Sequence, residues 1–278
     1  MSFSEHHLVS IYPFPALRPV LIDVGSHQGG VSQLFAQKNW KIIAFEPETK
    51  NRQVFDKNLS GFDNVTCIPK AVSNVTGDKV PFYTSQEHFG IHTLKPFHPT
   101  HKFAYEVETI RLDDALNALK IDQVTFLKID IEGADFFALQ GFDWKKYHPE
   151  VVMVEFMDNR SQPNFSYTHH DMVNYMTERG YITYISEWDV IKEYGRSGQT
   201  SEPHRWLQCV RYPLNHEPAW GNLIFITQGN ESKFEQTLAQ YLEKSKHQDR
   251  WEKLKQIFKK LPGVHALYQK LKSGFKSI

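Results

Sequence analysis

An acid, a run of glycines and a second acid form the first set of residues in this chain that can do chemistry: Asp23, then Gly25, Gly29 and Gly30, then Glu46. Glycine lets the backbone turn freely and approach a ligand closely. An acid about 20 residues past the first glycine is placed to accept the two hydroxyls of a ribose. Together they describe a nucleoside-cofactor site with Asp23, Gly25, Ser26, His27, Gly29 and Glu46 as its contacts. The second set is Asp130 and Glu132, at the end of a strongly apolar run, with Asp130 at the strand end expected to touch the cofactor as well. A carboxylate there can take a proton from a reacting hydroxyl or position it. His88 and His92 are the third set, since imidazole titrates near neutral pH. They stand four apart, but in a loop of this composition they make no recognisable metal site, and no metal is expected.

The nucleoside cofactor remains to be chosen. A dinucleotide pyrophosphate needs close backbone approach at the second position of G-x-G-x-x-G, and here His27 fills that position. The pattern D-x-G-x-x-x-G suits a cofactor without a pyrophosphate. S-adenosylmethionine fits, with Asp23 near its cationic methionine part, Glu46 on its ribose, and its adenine near Ala71 in the turn Lys70-Ala71-Val72-Ser73.

These residues need elements to hold them. Val20 to Val24 and Lys41 to Phe45 read as strands, with a helix from Gly29 to Gln37 between them and another from Pro47. Further strands are expected at Asn64 to Ile68, Val124 to Asp130, Glu150 to Glu155, Tyr181 to Ser186 and Asn222 to Thr227. Helices are expected near Asp113 to Leu119, Ala134 to Gln140 and His169 to Arg179, where His169-His170-Asp171 reads as a cap. Two extended pieces, Lys79 to Thr84 and Tyr105 to Arg111, flank a histidine- and aromatic-rich segment placed like a substrate lid. The stretch from Ser186 to Ala219 reads as loop, its aromatics and charges suited either to holding a sugar or to packing. This alternation describes an α/β fold with a mostly parallel sheet, whose ligands lie outside the carboxyl ends of the strands.

The 278 residues carry 32 basic and 32 acidic side chains. That balance argues against nucleic acid as a partner. Cys67 and Cys209 stand far apart, as reduced thiols of a cytoplasmic protein would. No signal peptide and no bilayer-spanning run is read. Residues 1–228 form one domain in this reading. Residues 229–278 form a basic, amphipathic helical tail, either a cap or dimer-forming element or a helix lying on a membrane surface.

The Asp23 to Gly29 loop, Ala44-Phe45-Glu46-Pro47, Ala71-Val72-Ser73, Thr109-Ile110-Arg111-Leu112-Asp113-Asp114 and Phe126 to Asp135, in that order, resemble the FkbM-type S-adenosylmethionine-dependent methyltransferases. The resemblance implies a class I methyltransferase fold with a seven-stranded sheet whose last strand is antiparallel. It also implies methylation of a hydroxyl on a sugar, glycan precursor or related metabolite; the basic tail, which lies outside the family pattern, adds the expectation of an acceptor carried on a lipid. A non-catalytic binding module and an NAD-dependent oxidoreductase are the rival readings.

Overall fold

The computed structural model describes residues 3–88, 90–192, 194 and 204–260, the side chains of 247–260 excepted. The apolar runs become the strands of a central sheet: β1 (Val20–Val24), β2 (Lys41–Phe45) and β3 (Val65–Ile68). A second, smaller sheet follows with β4 (Ala71–Val72), β5 (Lys79–Ser85) and β6 (His101–Ile110). The central sheet resumes with β7 (Phe126–Ile129), β8 (Val151–Phe156), β9 (Tyr181–Trp188), β10 (Trp206–Arg211) and β11 (Trp220–Thr227).

The central sheet has eight strands in the order β10-β9-β11-β8-β7-β1-β2-β3. Strands β3, β2, β1, β7 and β8 run parallel. Strand β11 is antiparallel to both β8 and β9, and β10 is antiparallel to β9. The expected seven-stranded sheet is therefore corrected to a mixed, eight-stranded one, in an α/β fold. The additional strand is β10. In Trp206-Leu207-Gln208-Cys209-Val210-Arg211 only Cys209 is buried, so this edge strand lacks the alternation that marks a half-buried one.

Strand periodicity of two sorts the side chains onto two faces. Ile22, Val24, Ile43, Phe45, Leu127, Ile129, Val152 and Val154 face one layer, where α4 (Leu112–Ala118), α5 (Asp135–Gln140) and α7 (His169–Thr177) pack. Leu21, Ile42, Ala44, Phe126, Val151 and Met153 face the other. That layer holds α1 (Glu5–Ser10), α2 (Gly30–Ala36), α3 (Thr49–Leu59) and α8 (Glu231–Lys260). Helix α8 joins the core through Phe234, Leu238 and Tyr241. Its continuation past Lys260, including Pro262-Gly263, lies outside the described residues. Helix α6 (Asp158–Phe165), which the sequence did not announce, buries Arg160 and Ser161 rather than an apolar stripe. Among the described residues no helix is long and apolar enough to cross a membrane.

The smaller sheet has the order β4-β6-β5. Its hairpin β5–β6 carries the histidine-rich segment expected to act as a lid, and Phe82 and Val107 pack it on Ala71.

Candidate active site

Where β1 ends, the chain turns at Gly25 with φ +74°, and a Cβ there would stand 1.9 Å from the carbonyl oxygen of Asp130. Only glycine lets the loop pass this close to the end of β7. The Gly25 and Ser26 amides both donate to the carbonyl of Phe45, at 3.0 Å each. The next residue, His27, also takes a left-handed conformation, with φ +50°. Its amide donates to Glu46 Oε2 at 2.8 Å, and the Glu48 amide donates to Glu46 Oε1 at 2.8 Å. The acid is thus locked to the loop by one backbone bond per oxygen, and each oxygen keeps accepting capacity for a ligand hydroxyl. Burial pushes the Glu46 carboxyl up to about 7, against the pull of those two amides.

A cavity opens at this sheet edge. Of the residues expected to form the site, Gly25, His27, Glu46, Ala71, His92, Asp130 and Glu132 line it. Phe45, Val72, Phe82 and Leu94 give it apolar walls, and Glu155 joins Asp130 and Glu132 at one end. Asp23, Ser26, Gly29 and His88 are not on its wall.

Each of these four has a physical reason to lie elsewhere. Alternation along β1 sends Asp23 to the face opposite Ile22 and Val24, where it is fully buried. There its Oδ2 accepts from Ser32 Oγ at 2.7 Å, and Oδ1 lies 3.4 Å from Lys128 Nζ. Ser26 is buried beneath the loop. Gly29, with φ +85°, begins α2 against Phe55 and Leu59, which a Cβ would meet at 2.9 and 2.7 Å. His88 is buried in the lid, with Nδ1 3.2 Å from the Tyr194 carbonyl. His92 does reach the cavity, and burial lowers its pKa.

Two cations that the sequence reading passed over organise the acidic end. Lys128 pairs in register with Asp23 and donates to the Gly25 carbonyl at 2.8 Å. Its Nζ is also 3.6 Å from Asp130. Burial opposes its charge, but Asp130 and Asp23 outweigh that cost and raise its pKa. Arg160, from α6, contacts Glu132 and lies 3.4 Å from Glu155. Its Nη2 donates to the Tyr194 hydroxyl at 3.2 Å, and its guanidinium sits 4.2 Å from the Phe97 ring centre. Burial nevertheless pushes Glu132 up to about 8, with Arg160 pulling the other way, and raises Glu155 well above its usual range.

Asp130, Glu132 and Glu155 place carboxylate oxygens within 4.8 Å of one another, close enough to hold a metal ion. Arg160 already provides a cation to two of the three. The aromatics between Glu187 and Trp220 are engaged internally rather than exposed as a sugar platform. Trp206 stacks on Phe3, Trp188 on Trp220, and the Trp188 Nε1 donates to Glu5. Arg196 lies outside the described residues.

Residues 23–183, more than half of the chain, match the methyltransferase FkbM domain. The chain belongs to the FkbM methyltransferase family. No curated protein matches its sequence. Among solved structures, this FkbM methyltransferase is similar to the O-methyltransferase of Bacillus cereus in complex with SAH, at 9% identity. That match covers 80% of this chain and 78% of that one, with a TM-score of 0.42. It is also similar to an rRNA methylase of Streptococcus thermophilus, at 9% identity, covering 80% and 93%, with a TM-score of 0.41. A third is the precorrin 8w decarboxylase of Methanobacterium thermoautotrophicum, at 14% identity, covering 81% and 90%, with a TM-score of 0.42.

The family's cofactor is S-adenosylmethionine, and the cavity suits it. Glu46 offers two oxygens for the ribose hydroxyls. Phe45, Ala71, Val72 and Phe82 offer apolar surface for the adenine. At the opposite end Asp130, Glu132 and Glu155 line the wall, beside the cations Lys128 and Arg160, and offer polar carboxyl groups to the methionine part.

Proposed function

We propose that this FkbM methyltransferase methylates a hydroxyl oxygen of a sugar or glycan precursor, with the acidic end of the cavity as its reaction centre. When bound, S-adenosylmethionine supplies an electrophilic methyl group carried on a sulfonium. Glu46 and the Gly25–His27 loop hold the nucleoside. Asp130, whose side chain is 38% exposed and held in place by Lys128, is the carboxylate most open to an incoming acceptor. Glu132 is the base: a buried carboxyl raised to about 8 accepts a proton more readily than an ordinary glutamate. Arg160 orients it. His92, on the cavity wall, positions the acceptor, and His88 supports the lid from behind.

The single observation that carries this reading is the Glu132 carboxyl on the cavity wall, close to that of Asp130, since an alcohol needs its proton removed as it attacks a methyl group. Phe97, His98 and His101 of the lid pack with Tyr194 behind the wall, and the lid gives the cavity itself Phe82, His92 and Thr93 as ring faces and polar groups for a hydroxylated acceptor. The basic sequence from Arg250 onward supports an acceptor carried on lipid at the inner membrane surface of the cytoplasm. The test is turnover with labelled S-adenosylmethionine against nucleotide-linked sugars, lipid-linked sugars and free polyols, with the product read by NMR. A new O-methyl resonance on one class is expected. Methyl on nitrogen or carbon would overturn the oxygen assignment, and cofactor binding without turnover on any acceptor would favour a binding module.

A further inference from the structure

On the loop between β10 and β11, and on the first turn of α7, lies a second chemically equipped cluster. His169 and His170 do not cap their helix. That role belongs to Thr168 and Asp171, whose carboxylate accepts the Thr168 amide at 2.8 Å. The two imidazoles instead lie ring against ring, with centroids 3.9 Å apart. Each has its Nε2 near the same oxygen of Glu217, 4.0 Å away for His169 and 3.3 Å for His170.

The far side of each ring is tied. Asp158 accepts from the His169 amide and from its ring Nδ1, both at 2.7 Å. A carboxylate only accepts, so the hydrogen stands on Nδ1, and the neutral ring presents a bare lone pair at Nε2. A carboxylate oxygen, itself only an acceptor, stands 4.0 Å from that Nε2, a gap that a shared cation or proton can bridge. His170 has its Nδ1 2.9 Å from the Tyr212 hydroxyl, which can either donate or accept.

We infer that His169, His170 and Glu217 form a binding site for a divalent transition metal of the zinc type, with Asp158 as the carboxylate that orients the buried ligand. Nitrogen and oxygen ligands at about 2.0–2.2 Å in a tetrahedral set lie roughly 3.3–3.6 Å apart, close to the separations already present. Glu217 is 76% exposed and can close the remaining gap. Three protein ligands leave a fourth position for water or for a ligand atom. Its residues lie apart from those lining the cofactor cavity, and the bound ion would pin the β10–β11 loop to α7.

The test titrates zinc into full-length protein freed of metal by dialysis against a chelator, in competition with a chromophoric chelator. Cobalt then reports coordination geometry through its visible absorption. One equivalent of zinc held against the competitor is expected, with four-coordinate cobalt bands. His170→Ala and Glu217→Ala, at exposed positions, should each weaken binding about 10-fold or more, and Asp158→Asn about 10–100-fold. No binding in competition, or binding unchanged in both exposed variants, would overturn the site and leave His169 as an imidazolium paired with carboxylates.

Discussion

Gly25 and Asp130 occupy adjoining space: a Cβ at position 25 would stand 1.9 Å from the Asp130 carbonyl oxygen, at a φ of +74°. The Gly25–His27 loop is thereby pressed against the strand that delivers the acidic end. Gly25→Ala must move backbone, not a side-chain tip, and should cost at least ~3 kcal/mol. Gly30→Ala is the control. Nothing lies within 4 Å of its Cβ and it sits inside α2, so a gain of about 0.4–1 kcal/mol is expected. Urea unfolding midpoints of the two variants decide the matter.

Glu46 gives cofactor binding a pH dependence. In the free protein its carboxyl titrates at about 7, raised by burial. Protonation removes accepting capacity just where two backbone amides already use one site on each oxygen. Affinity for S-adenosylmethionine should rise with pH up to about 7 and level off above it. Because the folded pKa lies above the ordinary value, the same group lowers protein stability as pH rises from about 4.5 to 7. Calorimetric titration from pH 5.5 to 8.5 would show the binding trend. Glu46→Gln should bind weakly and flatly across that range, and a flat wild-type profile would refute the assignment.

Lys128 is a buried cation between two acids, and losing it strands the buried one, Asp23. Lys128→Met should cost about 3–5 kcal/mol, the usual penalty for an uncompensated buried charge. Adding Asp23→Asn should recover part of that loss, because one stranded charge is removed with its partner. A double-mutant cycle from chemical denaturation measures the coupling. Strict additivity would show that the pair, in register on β1 and β7, does not interact.

Much of this arrangement was legible in the sequence. Alternating and continuous apolar runs marked the strands of the sheet's centre, and Gly25 and Glu46, singled out by their spacing, stand on the wall of one cavity. What failed to show was polar. Arg160 sits in Asp158-Asn159-Arg160-Ser161-Gln162-Pro163-Asn164-Phe165, a helix with proline inside and no apolar stripe, so nothing distinguished it from a loop. Lys128 looked like an interruption of an apolar strand, and only the neighbouring strand shows that it answers Asp23. For the same reason Asp23 seemed a cofactor contact. Strand alternation gives its direction, but the cation that holds it comes from more than a hundred residues away.

Glu132 should separate chemistry from binding. Glu132→Gln keeps the shape and a partner for Arg160 but cannot take a proton, so kcat should fall about 10²–10⁴-fold. In the wild type, kcat/KM should climb with pH and level off above about 8, as the carboxyl becomes ionised. The variant should also bind S-adenosylmethionine less well relative to S-adenosylhomocysteine, which lacks the sulfonium charge. Equal weakening of both ligands would place Glu132 in the structural frame and not beside the methyl group.

Helix α8 divides into a part that belongs to the core and a part that can act elsewhere. Phe234 is 1% exposed, 4.6 Å ring to ring from Tyr184, and the Tyr184 hydroxyl donates to Glu235 at 2.7 Å. Phe234→Ala should therefore cost about 3–5 kcal/mol. Deleting residues 229–278 should be worse still, because it uncovers that face of β9 and β11. Deleting only 246–278 leaves Phe234, Leu238 and Tyr241 in place, so the melting temperature should stay close to that of the full chain. The removed segment carries the basic sequence from Arg250, and with it should go co-sedimentation with vesicles containing anionic lipid. The shorter protein should still bind S-adenosylmethionine. Equal vesicle binding by the full and shortened chains would remove the reason to look for a lipid-linked acceptor and return attention to soluble ones.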